Sequence, residues 1–355
     1  MSRARIAVAD DSSFIRRALA RLLGEEPTLE IVGLAASGEE LLQRLDEWQP
    51  DAVVLDLSMP GIGGLRTLDA LLARRRLPVL ILSTHSRRGA PQTLEALHRG
   101  ATDFVDKQQY SLVDFEALRQ VLVEKLHQIL AAGGGAAGGG GEGGEGDLGA
   151  GPPDPGQPAA GIELVVLGAS TGGPPAIERI LGDLGAAPPV PVAIVQHMPP
   201  AFTRSFAERL DARLPLRVRE AAHHERLLPG VVYIAPGGLH LTVERDHEAL
   251  RAALSAAPEL ARHRPSVDVL FTAAAAATRG RLVAVLLTGM GLDGAAAMAE
   301  LARAGVYTIA QDRASSVVFG MPRAAIEAGS VQEVLALERI GPRLVELLAG
   351  ARTDA

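Results

Sequence analysis

Two groups of residues in this sequence have types and spacing suited to chemistry. In the first, Asp10 and Asp11 end one short apolar run, Asp56 ends another, and Ser83 and Lys107 close two more. Carboxylates gathered at one edge repel one another, and a hard, oxygen-binding cation such as Mg²⁺ relieves that repulsion. A lysine beside them offers fixed positive charge and three donors to an incoming phosphoryl group. Taken singly, Asp10, Asp11 and Ser12 would serve as a helix cap. Together, the five positions on four strand ends point to a phosphoacceptor site.

The second group begins at Gly168-Ala169-Ser170-Thr171-Gly172, which follows the apolar run Leu164–Leu167. This fits G-x-S-x-G, where a sharp strand-to-helix turn exposes a serine hydroxyl and backbone N–H groups can receive an oxyanion. A glycine-rich nucleotide loop is the competing reading, although neither G-x-G-x-x-G nor G-x-x-x-x-G-K-[ST] occurs. A nucleophilic serine needs a base, and residues 161–355 contain no lysine, which leaves a histidine or a carboxylate. His197 directly follows the apolar run Val192–Val195 and ranks first. His240, beside the Gly237-Gly238 turn, ranks second, and His223 and His224 lie in a polar stretch that reads as surface. For the group that orients the imidazole, Asp293 follows Val283–Leu287 through a glycine-rich turn. Asp268 is the runner-up, at a position that also suits a helix cap.

Strand ends must bring these residues together. In the first half, Ile6–Ala9, Ile31–Ala35, Ala52–Leu55, Val79–Leu82 and Asp103–Val105 read as strands separated by helix-type segments. Five βα units predict a doubly wound parallel sheet with its chemistry at the C-terminal strand ends. The second half has strand candidates at Ile162–Leu167, Val192–Val195, Val231–Ile234, Leu282–Leu287 and Val306–Ile309. It predicts a larger α/β domain with a mainly parallel sheet. Between them, residues 131–160 hold 13 glycines and four prolines, with Leu148 the only large apolar side chain. Such a segment cannot bury enough surface to offset its ordering entropy, so it is expected to be a flexible linker between domains at 1–130 and 161–350.

Composition narrows the function. With no cysteine, the chain has no disulfide, thiolate metal site or cysteine nucleophile. Of the net charge of −7, residues 131–160 carry −4, while 1–130 hold 16 basic and 18 acidic residues and 161–355 hold 19 and 20; neither half is basic, so a nucleic-acid partner is not expected. No apolar run reaches the length of a spanning helix, and Met1–Arg5 lead into a strand rather than a signal peptide. The expectation is a cytoplasmic protein without membrane insertion.

Residues 1–130 resemble a response-regulator receiver domain, through Asp10-Asp11-Ser12, Val54-Leu55-Asp56-Leu57-Ser58-Met59-Pro60-Gly61, Ser83-Thr84 and Lys107. The resemblance implies that Asp56 accepts phosphate from a histidine kinase, that Asp10 and Asp11 help it hold Mg²⁺, and that Ser83 and Phe104 are switch positions. Gln108 stands where the family usually has proline after the lysine, which puts the usual turn there in question.

Residues 161–348 resemble the catalytic domain of the chemotaxis protein-glutamate methylesterases. The match runs through Gly168–Gly173, Gln196-His197-Met198, Phe202–Ala207, Tyr233–Gly238, Arg264–Asp268 and Leu287–Gly294. It implies a triad of Ser170, His197 and Asp293, with the backbone N–H groups of Thr171 and Met290 as oxyanion donors and no cofactor for hydrolysis. The implied substrates are γ-glutamyl methyl esters on the cytoplasmic helices of methyl-accepting chemoreceptors; some family members also deamidate glutamines there. It further implies that the receiver covers the cleft until Asp56 is phosphorylated. Leu292 stands where Asn is more frequent and should alter the turn's hydrogen bonding. The rival from another class is a response regulator whose second half only binds a ligand.

Overall fold

The computed structural model describes residues 3–83, 89–107, 115–133, 161–185, 187–257 and 263–350. The chain forms two compact units, Met1–Gly141 and Glu142–Ala355. Most of the expected linker, and Thr84 and Gln108, lie outside the described residues.

In the first unit, strands β1 (Ala4–Ala9), β2 (Leu29–Ala35), β3 (Ala52–Asp56), β4 (Val79–Ser83) and β5 (Asp103–Asp106) alternate with five helices. These are α1 (Ser13–Gly24), α2 (Gly38–Trp48), α3 (Gly63–Arg74), α4 (Gly89–His98) and α5 (Phe115–Gly133). The sheet is parallel in the order β2-β1-β3-β4-β5. β3 and β4 are buried along their whole length, as expected for parallel strands covered on both faces. Ile6, Val8, Val54, Leu80 and Leu82 form one core face with Leu19 and Leu23 of α1 and Leu122, Leu126 and Ile129 of α5. Helix starts follow local chemistry: the Ser12 and Ser37 side chains accept from Ile15 N and Glu40 N and so cap α1 and α2. The strand order reverses between β1 and β3, which opens a crevice where Asp10, Asp11 and Asp56 emerge.

In the second unit the strands are β6 (Leu164–Ala169), β7 (Val192–Gln196), β8 (Arg217–Glu220), β9 (Val231–Ile234), β10 (His240–Asp246), β11 (Ala249–Ser255), β12 (Leu282–Leu286), β13 (Tyr307–Gln311) and β14 (Glu333–Leu335). The helices are α6 (Gly173–Asp183), α7 (Pro200–Arg213), α8 (Val267–Thr278), α9 (Ala295–Arg303), α10 (Met321–Glu327) and α11 (Leu337–Gly350). Seven strands form a parallel sheet in the order β14-β13-β12-β6-β7-β9-β8, and β10 and β11 make a separate antiparallel hairpin. Helix α8 is apolar nearly all round and is buried on several sides, sharing one core with strands β6 and β12 and with Leu241, Val243 and Ala252 of the hairpin. The order reverses between β6 and β12, so the loops after β6, β7 and β12 share one edge of the sheet. Those loops carry Ser170, His197 and Asp293.

The predicted α/β class and both sheets hold, and the sequence reading missed β8, β10, β11, β14 and α10. None of the described helices is long and apolar enough to cross a membrane.

Candidate active site

Backbone hydrogen bonds fix the loop after β6 on three sides. Ser170 N donates to Thr288 O at 3.1 Å, His197 N donates to Ala169 O at 3.1 Å, and Gly173 N donates to Ser170 O at 2.8 Å. Gly289 passes so close to Ser170 that a Cβ on it would meet Ser170 Cβ at 2.9 Å and Met321 Sδ at 2.3 Å. Only a residue without a side chain fits there, and the loop bearing Met290 and Asp293 thereby reaches the serine.

Asp293 is a convergence point for donors. Its Oδ2 accepts from His197 Nε2 at 2.7 Å and from Val267 N at 2.7 Å, while Oδ1 accepts from Ser266 Oγ at 2.8 Å and Asp268 N at 3.1 Å. The carboxylate thus sits on the first turn of α8, where backbone N–H groups and the helix dipole favour negative charge. Burial opposes its ionisation, but the hydrogen bond and charge of His197 and the N–H groups of Val267 and Asp268 outweigh burial. The carboxyl is held well below the usual range. With Nε2 engaged, Nδ1 is the nitrogen left to act as base; it is buried and makes no hydrogen bond among the described residues, so the serine–histidine contact is not closed in this conformation. His263 stacks on the His197 ring, with centroids 4.3 Å apart and planes 21° from parallel.

The alternatives resolve differently. Asp268 caps a helix, but α9 rather than its own: Oδ1 accepts from Ala297 N at 2.8 Å. Its carboxyl is raised by burial and by the charge of Asp293, against the backbone donors of Ala297 and Gly294. Ser266 caps α8. His240 is fully buried at the start of β10, and His223 and His224 are exposed, with His223 Nδ1 accepting from Leu254 N. Leu292 points outward, 71% exposed, and its backbone carbonyl accepts from Ala295 N.

Three further residues were not singled out from sequence. Gln196 Nε2 donates to Ser170 O at 2.8 Å and lies 3.3 Å from His197 O. Thr288 Oγ1 donates to Thr171 O at 2.9 Å, and Gln311 Oε1 accepts from Thr288 N at 2.8 Å. Each is a polar residue at a strand end, a signal too common to select them alone.

In the first unit, carboxylate oxygens of Asp10, Asp11 and Asp56 lie within 4.8 Å of one another; Asp11 is exposed and the other two are buried. Lys107 Nζ is 2.5 Å from Asp10 Oδ2 and 3.3 Å from Asp56 Oδ1. Burial is the main cause that raises the Asp56 carboxyl, with Asp10 adding to it and Lys107 opposing. A buried, all-oxygen, net-negative cluster fits a divalent cation. Phe104 is buried on β5. Ser83 Oγ lies 2.5 Å from Thr93 Oγ1, and Thr93 Oγ1 donates to Gly89 O. A hydroxyl has one proton, so Ser83 must be the donor in that pair.

A crevice of carboxylates in one five-stranded parallel unit, and a seven-stranded unit with serine, histidine and aspartate at its switch point, define the class: a receiver domain joined to a hydrolytic domain of α/β architecture. Comparison with known proteins agrees. The family model for CheB methylesterase matches residues 165–344, and that for response regulator receiver domains matches residues 6–121. A protein-glutamate methylesterase/protein-glutamine glutaminase of Symbiobacterium thermophilum is 40% identical over 349 residues, covering 95% of this chain and 94% of that protein. The protein of the same description from Bordetella parapertussis is 41% identical, with 98% of each covered. The crystal structure of the Thermotoga maritima CheB methylesterase catalytic domain, 40% identical, superposes with a TM-score of 0.51, covering 53% of this chain and all of that domain. The chain belongs to the CheB methylesterase family.

Proposed function

We propose that this chain is a protein-glutamate methylesterase and protein-glutamine glutaminase acting in chemotaxis, and that phosphorylation of Asp56 raises its activity. The observation that carries the chemistry is the His197–Asp293 pair held against the Ser170 loop at the switch point of the larger sheet. The division that goes with this reading is a receiver at 1–130, a linker at 131–160 and a catalytic domain at 161–350, in the cytoplasm. Its partners are a histidine kinase as phosphodonor and the cytoplasmic helices of methyl-accepting chemoreceptors as substrate.

In this mechanism His197 Nδ1 takes the proton of Ser170 as Oγ attacks the γ-carbonyl of a glutamyl methyl ester. Asp293 holds the imidazole and offsets the charge it gains. The N–H groups of Thr171 and Met290 receive the oxyanion. The proton passes from His197 to the departing methoxide, giving methanol. Water, deprotonated by the same nitrogen, then attacks the acyl-serine; His197 returns that proton to Ser170 Oγ as the ester C–O bond breaks, and the glutamic acid released ionises to the carboxylate. For a glutamine substrate the leaving group is ammonia. In the receiver, Asp10, Asp11 and Asp56 would hold Mg²⁺, whose charge offsets that of the transferring phosphoryl group. Lys107 contacts a phosphoryl oxygen, and Ser83 donates to another.

The test is methanol release from methylated receptor membranes, with and without a small phosphodonor and Mg²⁺. Release should rise with phosphodonor and vanish in Ser170→Ala. A folded Ser170→Ala protein that keeps turnover would remove the serine mechanism, and a full-length rate indifferent to phosphodonor would remove the control.

A further inference from the structure

Gln196 is 2% exposed, and its single amide reaches both the nucleophile's and the base's backbone. Its orientation is unambiguous, because Ser170 O and His197 O are both acceptors and only the NH₂ end can face them. The Oε1 end is then turned to Gly173, where a Cβ would lie 1.9 Å from it, and among the described residues it has no hydrogen-bond partner. A buried acceptor left unsatisfied is costly, so the donors at the other end have to matter.

The carbonyl that Gln196 grips belongs to the Ser170–Thr171 peptide. A trans peptide is planar, with its N–H directed opposite its C=O. Fixing Ser170 O therefore fixes the direction of the Thr171 N–H. The Met290 N–H is set by the same logic, because Gly289 O of its peptide accepts from Gly320 N at 3.1 Å and Met321 N at 2.9 Å. One of these two peptides is thus pinned entirely by backbone, while the other depends on one side chain together with Gly173 N.

We infer that Gln196 is a positioning residue that aims the Thr171 N–H at the developing oxyanion and ties that peptide to the strand carrying His197. The inference rests on the serine-hydrolase reading of Ser170 and Thr171. Gln196 touches no substrate atom; it acts through the peptide it holds.

The experiment uses full-length protein, phosphodonor-activated, with methylated receptor membranes, and compares Gln196→Met and Gln196→Glu with wild type. Gln196→Met keeps the volume and removes both donors, and should lower kcat about 10- to 100-fold, a part of what loss of an oxyanion donor costs. KM should stay within about threefold, since the ground-state carbonyl needs the donor less. Gln196→Glu adds a signature that simple loss of packing lacks. A protonated glutamic acid still donates one hydrogen bond to Ser170 O, whereas the carboxylate repels it. The ratio of Gln196→Glu to wild-type kcat should therefore fall as pH rises, while the Gln196→Met ratio stays flat; taking ratios removes any pH dependence common to all three. Variants with unchanged melting temperature and kcat within about threefold of wild type would overturn the inference. So would a loss carried by KM, or a Gln196→Glu ratio independent of pH. Ser170→Ala separates the failures: if it retains turnover, the serine reading falls first, and if it is inactive while both Gln196 variants turn over normally, only the role of Gln196 falls.

Discussion

Replacing Asp293 with asparagine exchanges one carboxylate oxygen for an NH₂ group and puts the site's electrostatics to a direct test. Four donors converge on this carboxylate, from His197, Ser266, Val267 and Asp268. An amide offers only one acceptor oxygen, so its NH₂ must face either Val267 N and His197 or Ser266 Oγ and Asp268 N. The second choice is cheaper because the Ser266 hydroxyl can turn to accept, and it keeps the imidazole oriented. What is then lost is the charge that balances the imidazolium in the transition state. For charge centres about 4 Å apart and an effective dielectric near 20, that attraction is about 4 kcal/mol, or about a thousandfold in rate. One backbone donor of α8 is also left facing an NH₂ group, at a cost of about 1–3 kcal/mol of stability. Steady-state methanol release by the phosphodonor-activated enzyme should show kcat down about a thousandfold with little change in KM, in a protein that still melts cooperatively. A folded variant losing less than tenfold would refute the assignment of Asp293 as the imidazole's partner. Asp268→Asn is the control: it keeps an acceptor for Ala297 N and removes a charge that burial and Asp293 disfavour, so it should lose little or no stability, with kcat within about fivefold of wild type.

Asp56 is raised above the ordinary carboxylate range, so its ionisation opposes folding, and that penalty is complete once pH exceeds the folded value. At neutral pH Asp56→Asn should raise the melting temperature of the receiver; in wild type Mg²⁺ should do the same and EDTA should reverse it, and a lower melting temperature in Asp56→Asn would count against the crowded pocket. Asp293 works in the opposite sense: held low, it contributes stability that is complete above the unfolded carboxylate value of about 3.9 and is lost as pH falls below it. Denaturation between about pH 5 and 2 should therefore be less pH-dependent for the catalytic unit of Asp293→Asn, as followed by urea titration. Ser83 spends its proton on Thr93 Oγ1 and must withdraw it to reach a phosphoryl oxygen. Thr93→Val should tighten binding of beryllofluoride with Mg²⁺ by about fivefold, and the gain should disappear in a Ser83→Ala background; an equal gain in both backgrounds would show that Thr93 acts elsewhere.

The parts of the fold that were legible are those where burial leaves a continuous apolar run. β3, β4, β6, β7 and β12 are buried on both faces and read as runs of Val, Ile, Leu and Ala, apart from Gly168 and the terminal Asp56, Ser83 and Gln196. The strands that were missed lack this signal. β8 is Arg217-Val218-Arg219-Glu220 at a sheet edge, with only Val218 buried, and β14 is three residues long. The hairpin strands carry charges at Glu244, Arg245, Asp246 and Arg251, and turn through His247 at a φ of 53° rather than through a glycine. The same contrast runs through the site. Ser170, His197 and Asp293 could be singled out because each follows an apolar strand, and a parallel sheet brings successive strand ends to one edge whatever the intervening chain does. The residues that aim them were not legible, because their partners are backbone atoms far away in sequence. Asp268 has the sequence signature of a cap for α8, yet its carboxylate serves α9; α8 is capped by Ser266, and the first N–H groups of the helix, those of Val267 and Asp268, donate to Asp293. The sequence ranks Asp293 ahead of Asp268, but what Asp268 does instead follows only from the packing of α8 against α9. A sequence can therefore name the groups that react by the ends of its strands, while the groups that hold them in line are selected by packing.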